Sequence, residues 1–244
     1  MKNSIIYFLQ RVLGFGNYLF VFSWYKVLTL KRDQRENDFF HFISLLNDKD
    51  TVLDIGANLG FMTYHLSKKV QSGEVYSFEP IPENIRTILR IKKFFRLNNV
   101  VVQDYALGNE TKTLTMVMPV IGKARKQGLS HVIDEKQNGH EGVLFKVEQN
   151  RLDDITFFKE RKIQGIKIDV ENYEFQVFDG ARALIGKNRP YIYCELWDNE
   201  NRNKCFQIML DLGYTIQVLV AGELTLFQPD KHHTQNFFFI PAAH

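Results

Sequence analysis

The stretch VLDIGANLGFMTYHL, residues 52–66, decides how the rest of the chain is read. An apolar run, Val52-Leu53, meets a carboxylate at Asp54. Two glycines follow at Gly56 and Gly60, and a helical pattern begins at Phe61. This is a strand, a tight turn and a helix, and a glycine turn lets the main chain come close to a ligand. Three ligands are open at this point: a dinucleotide, a phosphate, or another adenosine compound. The dinucleotide fingerprint needs G-x-G-x-x-G, and the middle glycine, which gives the pyrophosphate room, is missing here. No Gly-Lys-Ser/Thr follows, so a P-loop is excluded.

Outward from this turn, strands and helices alternate. Residues 51–55, 74–79 and 100–104 read as short strands, with helices over 61–69 and 82–97 between them. Such a run predicts a parallel sheet covered by helices. Residues 105–164 interrupt it. Residues 114–118 and 143–147 look like antiparallel strands on either side of a polar loop, 122–142. Alternation resumes with a strand at 165–169, a helix at 173–184, a strand at 191–195 and a helix at 204–212. Residues 215–220 and 237–240 read as a closing hairpin.

Each parallel strand ends in an acid: Asp54, Glu79, Asp104, Asp169, Glu195. Acids are poor strand residues and costly to bury unpaired. Five at successive strand ends point to a polar site along the carboxyl edge, where open α/β sheets bind their ligands. Glu79 suits a ribose diol, since each carboxylate oxygen accepts a hydroxyl proton. A ribose without a phosphate points to S-adenosylmethionine. Asp54 is then expected to face its cationic amino-acid end, directly or through water. The backbone of Gly56, Ala57, Asn58 and Gly60 would approach the ligand, and Thr63 and Asp169 are expected to contact it as well. Asp104 is expected to accept from the adenine amino group, with Tyr105 and Ala106 beside it.

The stretches VLDIGANLGFMT, VYSFEPIPEN, VVVQDYALGN and IKIDVENYEFQVFDGA, with RLDDI before the last, resemble the FkbM family of class I Rossmann-like methyltransferases. The resemblance runs from about Asp50 to Pro241. It implies a doubly wound, mostly parallel seven-stranded α/β sheet in the order 3-2-1-4-5-7-6, with its last strand antiparallel. It also implies O-methylation of a hydroxyl on a sugar, glycan or secondary metabolite. One position departs from the family pattern: where the family reads Asp-Val-Glu-Gly, this chain has Asp169-Val170-Glu171-Asn172. Asparagine tolerates a left-handed backbone better than most residues. The competing function is a non-catalytic cofactor-binding or assembly protein associated with a membrane or partner.

A methyl donor of this kind is already activated, so the protein must align an oxygen and take its proton. Asp169 is the expected base or orienting residue, with Glu171 and His131 as further catalytic candidates. Glu171 and Glu195 are expected on the acceptor side. Asp169 and Glu195 are two oxygen ligands, fewer than a divalent cation needs, so no metal is assigned. Lys167, on a buried strand, can pack its stem while its head reaches a carboxylate.

Composition fits this reading. The 244 residues are 45% hydrophobic and 24% charged, with a net charge of +3. No basic run of the kind that tracks a phosphate backbone occurs, so nucleic acid is not expected as a partner. Cys194 and Cys205 lack metal-site spacing and read as thiols in a reducing, cytoplasmic compartment. Residues 1–48 are expected to form a helical cap ahead of a methyltransferase domain over 49–244 that carries the insertion 105–164. The cap is apolar and aromatic, but Arg11 and Lys26 leave only 12–25 uncharged, short of the roughly 20 residues a membrane span needs. Contact with a membrane surface or a second subunit is the alternative use of those aromatics. The adenosyl site, beginning at Asp54, is expected to be independent of the residues before Asp33.

Overall fold

The computed structural model describes residues 2–133 and 141–242. Part of the polar loop, 134–140, therefore lies outside the described residues. The chain opens with α1 (Lys2–Leu13) and α2 (Phe15–Thr29), bent by 115° about Gly14, whose φ is +73°. Then follow α3 (Asn37–Ser44), β1 (Thr51–Ile55), α4 (Phe61–Lys69), β2 (Glu74–Phe78), α5 (Pro82–Phe95) and β3 (Val100–Gln103). The insertion contributes β4 (Ala106–Gly108), β5 (Lys112–Ile121), β6 (Ala124–Arg125), β7 (His131–Val132) and β8 (Gly142–Arg151). The chain continues through α6 (Thr156–Lys159), β9 (Gly165–Ile168), α7 (Glu174–Asp179), α8 (Arg182–Asn188), β10 (Tyr191–Glu195) and α9 (Glu200–Asp211). It ends with β11 (Tyr214–Val220), β12 (Glu223–Leu226) and β13 (Asn236–Pro241).

The main sheet has eight strands in the order β12-β11-β13-β10-β9-β1-β2-β3. The five from β10 to β3 run parallel, and β13 is antiparallel to both of its neighbours. The two expected closing strands do pair antiparallel, β11 with β13 from Tyr214↔Pro241 to Gln217↔Phe238, but they are not joined directly. The tight hairpin joins β11 to β12, through Ala221 and Gly222 at positive φ, and β13 slots between β10 and β11. Burial explains the choice. Phe237, Phe238 and Phe239 are fully buried and need cover on both faces, whereas β12 is mostly exposed and suits an edge. The insertion forms a second sheet, β4-β8-β5-β6 with β7 on β5, and β5 and β8 pair antiparallel from Lys112↔Gln149 to Pro119↔Gly142.

Side chains alternate across the main sheet. Leu53, Ile55, Ile166 and Ile168 pack with α7, α8 and α9 on one face. Val52 and Val75 pack with Leu66, Ile91, Phe39 and Phe42 on the other. The single helix expected over 173–184 is broken. A Cβ on Gly180 would lie 1.9 Å from the Gly108 carbonyl oxygen, so the chain passes close to the insertion there and restarts as α8. Asp153 caps the new helix, its carboxylate accepting from Ala183 N and Leu184 N at 3.0 and 2.9 Å.

Candidate active site

The glycine turn after β1 is fixed from three sides. Gly56 has φ +77°, and a Cβ there would meet the Asp169 carbonyl oxygen at 1.9 Å. Gly56 N and Ala57 N both donate to the Phe78 carbonyl at 3.0 Å, which ties the turn to β2. Gly60, also left-handed, precedes α4 and lies against Ile88. The glycines let neighbouring strands approach the turn, a role the ligand-centred reading of the sequence did not include.

Below the turn lies a buried charge network. Asp54 is 0% exposed and Lys167 3%. Lys167 Nζ donates to Gly56 O at 2.8 Å and lies 3.3 Å from Asp54 Oδ1 and 3.8 Å from Asp169 Oδ2. Thr63 Oγ1 donates to Asp54 Oδ2 at 2.6 Å and is itself bonded by Ser77. The carboxylates around Lys167 oppose its desolvation and hold its pKa above the ordinary value. Asp54 is not among the lining residues; its Oδ2 accepts from Thr63 and its Oδ1 faces the Lys167 ammonium, through which it acts on the turn.

A cleft whose empty space, open solvent included, is about 660 Å³ opens above the turn. Gly56 and Asn58, Phe78 to Ile81 and Asn84 line one side. Tyr105, Ala106 and Met116 come from the insertion, as does the strap Gln127–Val132. Asp169, Val170, Glu171 and Tyr173 close the other end. Glu79 sits at the first end. Its Oε2 accepts from Asn58 N at 2.9 Å, and its Oε1 from Ile81 N at 3.0 Å and Asn84 Nδ2 at 3.2 Å. Burial nonetheless pushes its pKa up to about 7. Beside it, Asn58 Oδ1 and Asn84 Oδ1 are buried with no partner among the described residues. These unpaired acceptors fit a ligand that brings hydroxyl or amino donors.

The other end is crowded with carboxylates. Glu171 is raised to about 8, first by burial and then by the charge of Asp169, and Glu195 to about 7 for the same two reasons. Glu174, one turn on, is raised to about 7 by burial. Glu171 and Asn172 both take positive φ, 52° and 72°. Asn172 therefore occupies the left-handed position a glycine would fill, and its side chain adds contacts. Its Oδ1 accepts from Asn199 Nδ2 at 2.7 Å and Asn201 Nδ2 at 3.1 Å, at the start of α9. Glu174 Oε1 accepts from Val170 N and Asn172 N and completes the turn.

The structure thus brings Gly56, Asn58, Glu79, Tyr105, Ala106, Asp169 and Glu171 to one cleft. It does not bring the others to the wall. Thr63 and Gly60 lie behind the turn, and neither Ala57 nor Glu195 is among the lining residues. Asp104 is exposed one residue past β3 and is not a lining residue. Nor is His131, which pairs with Val117 with its Nδ1 2.9 Å from Leu129 O, while its neighbours Ser130 and Val132 line the cleft. Sequence reasoning missed Ile81 and Asn84; the strap belongs to the polar loop 122–142 that carries the candidate His131. The Pro80-Ile81-Pro82 spacing, which starts α5 so that Asn84 faces Glu79, was the available signal for Ile81 and Asn84.

The cap touches the turn behind this site. Ser23 Oγ donates to Leu59 O at 2.8 Å in a buried bond, and Tyr18 and Leu19 pack on Leu59. The glycine turn therefore rests on α2, although no cap residue lines the cleft.

The family model described as "Methyltransferase FkbM domain" matches residues 54–218, more than half of the chain. The chain belongs to the FkbM methyltransferase family. A relative, Methyltransferase 1 of Beauveria bassiana (strain ARSEF 2860), is 25% identical over 151 residues, 54% of this chain and 59% of that protein. Among solved structures, the methyltransferase FkbM from Methylobacillus flagellatus KT superposes with a TM-score of 0.53 at 16% identity, covering 81% of this chain and 47% of that one. The chain therefore spans about half the length of the relatives it matches, and at 16% identity the structural likeness is one of fold.

Proposed function

We propose that this FkbM-family chain is an S-adenosylmethionine-dependent O-methyltransferase whose acceptor is a hydroxyl of a sugar, glycan or similar small metabolite. We read β3-β2-β1-β9-β10-β13-β11 as the class I order 3-2-1-4-5-7-6, with β12 as an added edge strand. The observation that carries the proposal is the polarity of the cleft. One end offers Glu79 and two unpaired amide oxygens to a ligand rich in donors. The other offers Asp169 and Glu171, carboxylates whose mutual repulsion a cationic ligand would relieve.

When bound, S-adenosylmethionine supplies a methyl group on a sulfonium, so the electrophile needs no further activation. Glu79, Asn58 and Asn84 would hold the ribose diol. Lys167 and Asp54 fix the Gly56 carbonyl and keep the turn in shape. Glu171 is the stronger candidate for base: it lines the cleft, and a pKa near 8 lies close to the operating pH of a general base. Asp169, 37% exposed and 3.8 Å from Lys167, would orient the acceptor hydroxyl. That hydroxyl would lose its proton to Glu171 as its oxygen takes the methyl.

Thermal unfolding tests the cofactor and labelled methyl transfer tests the acceptor. S-adenosylhomocysteine should raise the unfolding temperature and NAD should not. Labelled methyl should then pass to a polyhydroxylated acceptor, resist mild alkali that hydrolyses methyl esters, and be released only by ether-cleaving acid. Stabilisation by NAD alone, or label recovered only on nitrogen or carbon, would contradict the proposal.

A further inference from the structure

The first two helices present an apolar face that the fold does not use. On α1, Ile5, Phe8, Leu9 and Val12 are exposed, Phe8 by 62%. On α2, Val21, Trp24, Tyr25 and Leu28 are exposed, Tyr25 by 56%. Both sets have the spacing i, i+3, i+4, i+7 of a single helical stripe. The inward faces are satisfied. Gln10 exchanges two hydrogen bonds with the backbone of Arg125, at 2.9 and 3.0 Å, while Leu19, Ser23 and Val27 are buried. α1 is thus amphipathic, while α2 is apolar on its buried and its outward side alike, and both helices present an apolar side outward.

Charge indicates what covers this side. No acid occurs before Asp33, while Lys2, Arg11, Lys26, Lys31 and Arg32 do. Arg11, Lys31 and Arg32 are exposed. Arginines from elsewhere flank the bend: Arg90 lies 4.2 Å over the Phe20 ring and donates to Gly16 O, and Arg125 lies 4.8 Å over Phe15. On α5, next to Phe20, Phe94 and Leu89 are exposed among Arg86, Arg90 and Lys93. Lys26 is paired with Asp33 and Glu36, and Arg86 with Glu83. The exposed Arg11, Lys31, Arg32, Arg90 and Lys93 nevertheless leave the rim of these large aliphatic and aromatic residues mostly cationic, which matches an anionic lipid surface. Geometry favours lying on the bilayer over crossing it. At about 1.5 Å per residue the two helices are about 18 and 22 Å long, short of a hydrocarbon core of about 30 Å. No single helix among the described residues is long and apolar enough to span, and the pair is bent by 115°.

We propose that the outward stripes of α1 and α2 dock this protein on an anionic membrane surface. The docked helices also touch the site. Arg125, held by Gln10, and Lys126, which donates to Asn3 Oδ1 at 2.7 Å, lead directly into the strap Gln127–Val132 that lines the cleft. Docking therefore fixes how the strap meets the membrane plane.

Flotation of the full chain with phosphatidylcholine vesicles, with and without phosphatidylserine, tests this. The wild-type protein should float with the anionic vesicles, float less with the neutral ones, and be partly released by high salt. The double variant Phe8→Glu/Tyr25→Glu should lose flotation by about tenfold or more, since both acids would enter the apolar layer. Its unfolding temperature should be unchanged, because both positions are exposed. A second readout needs no change in the stripe. In a Trp197→Phe background, Trp24 is the remaining tryptophan, and its emission should shift to the blue on anionic vesicles. Absence of flotation on both vesicle types, or flotation with no Trp24 shift, would overturn the proposal. So would a stable dimer that the double variant converts to monomer without any lipid binding, which would assign the face to a second copy of the chain.

Discussion

The contacts that build the Glu79 end of the cleft are local: Asn58, Ile81 and Asn84 all come from the first two strand–helix units. Those at the Asp169 end are not. Lys167, Gly56 and Asp54 meet there across neighbouring strands, and Asn172 is held by Asn199 and Asn201 from beyond the next strand. The first end is pre-formed by main-chain donors and leaves acceptors free for a ligand. The second concentrates like charge and tolerates two consecutive left-handed residues. Both ends raise a carboxylate and hold a left-handed residue, Asn58 at the first, but the Asp169 end gathers several raised carboxylates and two consecutive left-handed residues where chemistry is expected.

The comparison breaks most sharply at Lys167, which serves both ends. Lys167→Met leaves Asp54 buried and unpaired, and unfolding in denaturant should show a loss of about 3–5 kcal/mol. A loss under 1 kcal/mol would mean that Asp54 accepts a proton without cost and that the network is not structural. Gly56→Ala comes next. The strain of its positive φ and the 1.9 Å clash with Asp169 should cost about 2–4 kcal/mol and abolish ligand binding, read by the same unfolding curves with S-adenosylhomocysteine added.

The pH dependence separates the two ends more finely. Glu79, Glu174 and Glu195, near 7, and Glu171, near 8, hold protons in the folded state that the unfolded chain has released. A raised carboxyl pKa makes the folded state the one that binds more protons, so stability falls as pH rises from about 4.5 to about 8. Unfolding free energy measured across that range should decline, and Glu171→Gln should flatten the upper part of the decline. In turnover, kcat/KM should rise with pH toward about 8, and Glu171→Gln should remove that limb. A profile unchanged by the substitution would return the role of base to Asp169.

The smallest expected effect is at the turn of the Asp169 end. Asn172→Gly keeps the positive φ but loses the bonds from Asn199 and Asn201. It should cost about 1–2 kcal/mol and raise KM for the acceptor more than KM for the cofactor. An equal rise in both would show that the turn serves the whole cleft.

The sequence was most legible where function is local. The glycine turn, the acid after β2 and the alternation of strands follow from neighbouring residues, and Glu79 and Asn58 do line the cleft. That Asp54 lies beneath the turn was not legible, because its partner, Lys167, is remote in sequence and only the pairing of β1 with β9 sets it there. That His131 and Asp104 fall outside the lining was not legible either, because the direction of a side chain at a strand end depends on register, which composition does not encode. The broken helix at Gly180 and the order of the last three strands depended on tertiary contacts with Gly108 and on burial of Phe237–Phe239.

Calorimetric titration of S-adenosylmethionine into the wild-type protein and into Glu79→Ala tests the central claim most directly. The account predicts saturable binding to the wild type. It also predicts a loss of about 1.5–3 kcal/mol in the variant, the cost of hydrogen bonds to a charged acceptor. Equal affinity for the two proteins, or no binding to either while NAD binds, would contradict it.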